Sequence, residues 1–240
     1  ELLDYLATDL MEHDWSLKRL SRMILLSNTY QMSSMADEKA LAQDPRNDLF
    51  WRQNVRRLSA EQIRDAVLAV TGQLNEQQYG ESMYPTLSAE VLASQSKPGN
   101  GWGKSTAAEQ ARRSVYIHVK RSLSVPMLSA FDFPDTDTTC EARFLTTQPA
   151  QALSMLNSDW MQEQAAALLT RIEREVGTDL HAQASRCLEL ATGREGSRED
   201  VAELKDLVAR LKAKNGLAEN AARQAMCLVV LNLNQFMYID

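Results

Sequence analysis

The chain has 240 residues, a formal net charge of −6, and 44% hydrophobic against 24% charged residues. That is enough sequence for one large or two small domains with a real core, and too apolar for a globally disordered chain. The negative balance excludes a broad basic surface for nucleic acid, and the scarcity of Gly (9) and Pro (6) favours helix over sheet.

Residues 2–11 place Leu2, Leu3, Leu6, Ala7, Leu10 and Met11 at helical spacing. Ser16 is an N-cap for a second apolar stripe of Leu17, Leu20, Met23 and Ile24, so residues 1–27 read as a helical hairpin. The chain opens inside this pattern without an initiator Met or a signal-peptide pattern, and the expectation is a segment cut from a longer polypeptide. A polar, turn-rich excursion follows, with one short helix and a turn at Asp44-Pro45. Residues 48–57 are expected to be helical, with Leu49, Phe50 and Trp51 available for packing.

The stretch "RRLSAEQIRDAVLAVTG" carries a strong helix start. Ser59 stands three residues before Gln62, the spacing of a capping box, and Glu61 lies in the first turn where the helix dipole favours an anion. Ile63, Ala66, Val67, Val70 and Leu74 form one apolar face, Gly72 suits the C-cap, and Glu61 and Asp65, four apart, share a face. Residues 75–111 are irregular, and "KPGNGWGKS" reads as a loop whose glycine spacing fails the phosphate-loop pattern. "SVYIHVKRS" alternates Val115, Ile117 and Val119 against Tyr116, His118 and Lys120, so one short strand or hairpin is expected near residues 114–120. Pro126 starts a short helix, and a long ordered loop follows with acids at Asp132, Asp135 and Asp137.

From residue 148 the pattern is helical to the end. Pro149 sits at a helix N1 position after Thr147, Ser158 and Ser197 are N-caps, and Gly177, Gly193 and Gly216 mark stops. The last helix is expected to run through "AENAARQAMCLVVLNLNQF". The reading is mainly α: a multi-helix bundle with long ordered loops, divided into an N-terminal helical lobe at 1–147 and a C-terminal bundle at 148–240. The longest apolar candidate for a membrane span is interrupted by Asn232, Asn234 and Gln235, so no membrane span is expected.

Several chemistries lack a basis. There is no C-x-x-C-H for haem c, no C-x-x-C or H-E-x-x-H for a metal, and no nucleophile elbow or dinucleotide fingerprint, so no cofactor or metal is expected in this segment. Three cysteines allow one bridge and one thiol, or three thiols; the apolar helical settings of Cys187 and Cys227 favour free buried thiols. Cys140 is the thiol expected to be accessible; Arg143, three residues on, offers a means to lower its pKa, but a packed loop cysteine is the preferred reading.

The stretches "WSLKRLSRMILLSNTYQMSS", "RRLSAEQIRDAVLAVTG", "RRSVYI", "FDFPD", "CEARFLTTQPAQALSMLN", "LATGR" and "LNLNQFMYID" stand in one order. Together they resemble the planctomycete-specific C-terminal domain of unknown function, over residues 2–240. In that family the domain accompanies a second planctomycete domain, and often a planctomycete-type cytochrome c domain, in large exported proteins. The resemblance implies an extracytoplasmic setting, other domains of the same polypeptide as partners, and haem c elsewhere in the parent. It implies no reaction. Gln151 keeps the family's Gln-Ala-Leu, whereas the usual double glycine after the 59–72 helix is reduced to Gly80.

Two readings of the polar residues compete. In the first, Arg56, Arg57, Arg64, Arg112, Arg113 and Arg143 pair with Glu61, Asp65, Asp132 and Asp135 as struts that tie loops to helices, as the planar guanidinium fork permits. Tyr30, Tyr116, Cys140, Gln151 and Asn157 complete the candidate set. The chain is then a non-catalytic scaffold or docking module, with Trp15, Tyr30, Trp102, Phe131, Phe133 and Tyr238 as contact candidates. In the second, the same arginines line a cleft for an anionic polysaccharide, with Asp65 or Asp132 as acid or base of a hydrolase or redox enzyme. The strut reading is preferred.

Overall fold

A computed structural model describes residues 1–136 and 138–239; Asp137, one of the acids expected in the long loop, lies outside the described residues. The protein is mainly α and divides into two compact units, residues 1–56 with the extreme C-terminus and residues 57–238. Residue 147 lies inside the second unit.

The first unit holds α1 (Leu2–Glu12), α2 (Leu17–Leu25) and α3 (Glu38–Gln43). Asp14 and Trp15 take left-handed φ of 54° and 56° and turn the chain between α1 and α2, so the expected hairpin forms. The Ser16 hydroxyl accepts from Arg19 N–H, and the Arg19 guanidinium pairs with Asp9 across the hairpin. The helix expected at 48–57 does not form. Asp44 accepts the N–H groups of Asp48 and Leu49 at 3.0 and 2.8 Å, and Asn47 Nδ2 donates to the Arg52 carbonyl at 2.7 Å. These side-chain bonds compete with a helical ladder, and Asn47 and Phe50 adopt left-handed φ instead.

Among the described residues of this unit only Asp9 and Asn47 are buried, and both are polar; the buried apolar core begins at Ala60. The apolar stripes of α1 and α2 are in place but none of their side chains is buried: Leu6, Leu10, Leu20 and Met23 are half-buried, while Leu3 is 80% and Leu17 69% exposed.

The second unit is built round α9 (Asp159–Val176), which packs on α4 (Ala60–Thr71), α8 (Pro149–Asn157), α10 (Leu180–Thr192) and α12 (Glu219–Val230); α11 (Arg198–Asn215) lies against α10 and α12. This is the helical bundle anticipated from residue 148, joined by α4. Ile63, Val67, Leu168, Ile172, Val208, Met226 and Val230 fill one continuous core at 0–1% exposure. Each such side chain contributes about 1.5–3 kcal/mol through burial. The local signals are met in detail: Ser59 and Gln62 form the capping box of α4, and Ser158 and Ser197 cap α9 and α11. Gln148 is the N-cap of α8, with Pro149 at N1.

Short helices α5 (Ala89–Ala93), α6 (Ala107–Gln110) and α7 (Pro126–Ala130) punctuate the long loops. The last helix stops at Val230 and restarts as α13 (Asn234–Met237), because Asn232 Nδ2 turns back to the Leu228 carbonyl at 2.7 Å. The two-stranded sheet is formed by β1 (Arg56–Arg57) and β2 (Tyr238–Ile239). Residues 114–120 differ from the expected strand. Ser114–Tyr116 is a 3-10 turn, and Ile117 and Lys120 make single bridges to Met83 and Leu123. The turn breaks the alternation: Ile117 is buried while Val115 and Val119 are exposed.

Candidate functional site

The predicted polar residues of the second unit gather into three knots on α4 and the loops that cover it. The first is centred on Asp65. Its Oδ1 accepts from both the backbone N–H and the hydroxyl of Ser114 at 2.7 Å, and Arg113 Nε lies 3.5 Å from Oδ2. Arg64, one residue earlier on α4, is buried and reaches the same loop. Its Nη1 donates to the Arg112 carbonyl at 3.0 Å and to Ser114 Oγ at 3.2 Å, and its Nη2 to the Gln110 carbonyl. Burial pushes the Arg64 pKa down to about 10, partly offset by Asp65 at 3.9 Å, so the group is charged at neutral pH.

Arg112 makes the second knot with no carboxylate at its fork. Its three guanidinium nitrogens donate to the carbonyls of Gln77 (3.2 Å), Tyr79 (2.5 Å) and Glu81 (2.8 Å). The plane sits 3.7 Å from the Tyr116 ring centroid, and Tyr116 Oη accepts from Tyr79 N–H at 2.7 Å. One buried cation thus holds the irregular 77–81 loop, where a chain without regular structure needs donors for its carbonyls.

Asp132 makes the third knot. It takes a left-handed φ of 61° and accepts from Thr146 N–H (2.9 Å), Thr146 Oγ1 (2.7 Å) and Arg57 Nη2 (2.5 Å), with Gln151 Nε2 at 3.5 Å. Gln151 also donates to the Thr146 carbonyl and accepts from Gln148 N–H, joining the loop to the start of α8. Burial raises the Asp132 pKa, but the Thr146, Arg57 and Gln151 contacts outweigh it and hold the carboxyl below its ordinary value. Arg57 is 4% exposed, lies 5.0 Å from the Phe131 ring centroid, and its Nε and Nη1 have no partner among the described residues. Arg143 adds a strut, with Nη1 on both Glu61 oxygens at 2.8 and 2.9 Å; burial raises and the Glu61 backbone and Arg143 bonds lower the Glu61 pKa, with a net fall.

The remaining candidates stand apart. Tyr30 and Arg56 belong to the first unit and are exposed. Asn157 is the exposed last residue of α8. Cys140 is exposed and free, and Arg143 is engaged by Glu61. Asp135 lines a cavity of about 250 Å³ with His118, Lys120, Arg121 and Phe133. Outside that cavity Lys120 Nζ donates to Gln95 Oε1 at 3.3 Å and to the Asn100 carbonyl, and the His118 ring lies tilted 4.6 Å from that of Tyr84.

Sequence reasoning missed Ser114, Thr146, Gln110 and Arg171. Arg171 reaches from α9 to the Ala69 and Val70 carbonyls at 3.1 and 2.7 Å, placing a cation on the C-terminus of α4 beside Gly72. A single basic residue on the α4-facing side of α9 was the available signal. A general acid needs a raised carboxyl, whereas Glu61 and Asp132 are both lowered. Among the described residues no three His, Cys, Asp or Glu side chains converge on a point that could hold a metal, and no helix is long and apolar enough to cross a membrane.

No curated protein and no solved structure matches the chain. A family profile described as PSD1, protein of unknown function (DUF1553), matches residues 1–208, so the last of the motif stretches lies beyond it. With a match over most of its length, the chain belongs to this PSD1 family of proteins of unknown function.

Proposed function

We propose that the chain is a non-catalytic scaffold and docking module. The observation that carries this reading is the asymmetry of burial: residues 57–238 close a continuous apolar core, while residues 1–56 bury no apolar side chain. Ordered helices whose apolar stripes are not buried lose the main stabilising contribution of folding, and such faces mark interaction surfaces. The occupant in this reading is another part of the same parent polypeptide. The family resemblance supplies its context: a planctomycete-type exported protein, an extracytoplasmic location, and a cytochrome c domain with haem elsewhere in the parent.

The competing reading is an enzyme segment that binds anionic polysaccharide through an Arg/Asp cleft. It needs guanidinium groups free to meet the ligand. Arg64 and Arg112 are instead occupied by carbonyls, and Arg143 by Glu61. Limited proteolysis with a protease selective for apolar residues tests the docking reading. Early cuts are expected in α1, α2 and the 26–56 connection, leaving a resistant fragment that begins near Arg57. Resistance of α1 and α2 equal to that of α9 would sink the proposal.

A further inference from the structure

Cys187 of α10 and Cys227 of α12 are both free, both fully buried, and members of the same apolar core. Their placement follows from helix register. Arg223 Nη1 of α12 donates to Gln183 Oε1 of α10 at 2.6 Å, a contact between residues 40 apart. Gln183 lies one turn before Cys187, and Arg223 lies one turn before Cys227, so each polar residue shares a ridge with its cysteine. The two cysteines are separated by the same interval. The Gln183–Arg223 contact is therefore repeated one turn on as a thiol–thiol contact, with α10 and α12 running in the same direction at this point. That register sets the two thiols towards each other in the core, where α10 and α12 pack, and the neighbouring Cys227 together with burial pushes the Cys187 pKa up.

We propose that Cys187 and Cys227 are a disulfide site, which in the oxidised protein staples α10 to α12 inside the core. Two core cysteines, each one turn beyond the same side-chain contact between packed helices, are placed for the proximity that a disulfide demands. The oxidant is a small-molecule or protein disulfide, R–S–S–R. One cysteine thiolate attacks it and releases R–S⁻; the second thiolate attacks the mixed disulfide and releases another. Two electrons pass to the oxidant, two R–SH form, and the two cysteine protons end on them.

The step belongs to folding. In the folded chain the neighbouring Cys227 and burial hold the Cys187 thiol well above its ordinary pKa, and both sulfurs are closed to solvent. Before α12 seats on α10 both thiols are open, and the loop to be closed runs through the end of α10, all of α11 and the start of α12. Once folded and reduced, the pair is expected to be inert.

The test is oxidative refolding of the full chain. Reduced protein is unfolded, diluted into reduced and oxidised glutathione, quenched in acid, alkylated under denaturing conditions and mapped by peptide mass spectrometry. The expected product is two hydrogens lighter than the reduced chain apart from its alkyl or glutathione group on Cys140. Its main linkage joins Cys187 to Cys227, with native helical circular dichroism and a raised melting temperature. A Cys140→Ser variant is expected to give the same linkage. Alkylation of all three cysteines, dominant linkages through Cys140, or a Cys187–Cys227 bond found only in chains without native helicity would overturn the proposal. Rapid oxidation of already folded, reduced protein would overturn the assignment of the step to folding.

Discussion

Replacing Arg64 with methionine is expected to cost about 3–5 kcal/mol of stability, a fall of roughly 6–20 °C in melting temperature for a chain of this size. Methionine keeps much of the side-chain volume but offers no donor. The Arg112 and Gln110 carbonyls, now served by the guanidinium, lose their partner, and Ser114 Oγ loses one of its two. A buried acceptor left without a donor costs about 1–3 kcal/mol, so two or three of them account for the range. Arg64→Lys retains the charge but not the fork that spans carbonyls two residues apart, and should fall between wild type and methionine. Chemical denaturation of the three proteins gives the order directly. A cost below about 1 kcal/mol would mean that the guanidinium is not a strut, and would reopen the ligand reading.

Asp132→Ala is expected to be as damaging, at about 3–5 kcal/mol, because it strands Arg57 as a buried cation. It also removes the acceptor of the Thr146 N–H and hydroxyl. Alanine tolerates the left-handed φ of 61° poorly, so Asp132→Asn is the informative companion: Asn accepts that conformation and keeps the Thr146 contacts, but drops the charge. The pH dependence follows from the sign of the shift. The folded carboxyl titrates below the ordinary aspartate value of about 3.8, so its contribution is present above that value and is lost as pH falls through the folded pKa. Denaturation curves from pH 7 down to pH 3 should show Asp132→Asn less stable than wild type at neutral pH, with the gap closing in acid. A gap that stays constant with pH would show that the Asp132 charge is not what is stabilising.

The features legible in the sequence were those decided by near neighbours. The Ser59–Gln62 capping box, the left-handed Gly72, the Ser158 and Ser197 caps and the Gly216 stop all depend on residues within one turn, and all are in place. The bundle was legible because 3.6-residue periodicity over 12–18 residues leaves little choice of face. Local competition explains the misses at 48–57 and 231–233, where Asp44, Asn47 and Asn232 take backbone partners that a helix would have used. The strand expected at 114–120 failed for a longer-range reason. Asp65, 49 residues upstream, binds both the N–H and the hydroxyl of Ser114 and winds the segment into a turn.

The candidate site was half legible for the same reason. The residue types announced a strut network, and Arg57–Asp132, Arg143–Glu61 and Arg113–Asp65 join members of the expected sets. What the sequence did not display is that Arg64 and Arg112 serve carbonyls rather than carboxylates. A carbonyl acceptor exists at every residue, so nothing in the side-chain pattern marks Gln77, Tyr79, Glu81 or Gln110. Ser114 and Thr146 were missed as ordinary loop residues. The burial asymmetry was hidden as well, since α1 and α2 carry apolar stripes no weaker than those of the core helices.

Amide hydrogen exchange tests the central claim most directly, with the chain measured alone and within the longer polypeptide proposed to carry it. The account predicts that α1 and α2 of the isolated chain exchange as local openings of small free energy, while α4, α9 and α12 are protected to near the limit of global unfolding. Within the parent, α1 and α2 are predicted to gain protection of at least about 100-fold as their apolar faces are covered. Protection of α1 and α2 equal to that of α9 in the isolated chain, or no gain within the parent, would contradict the docking module.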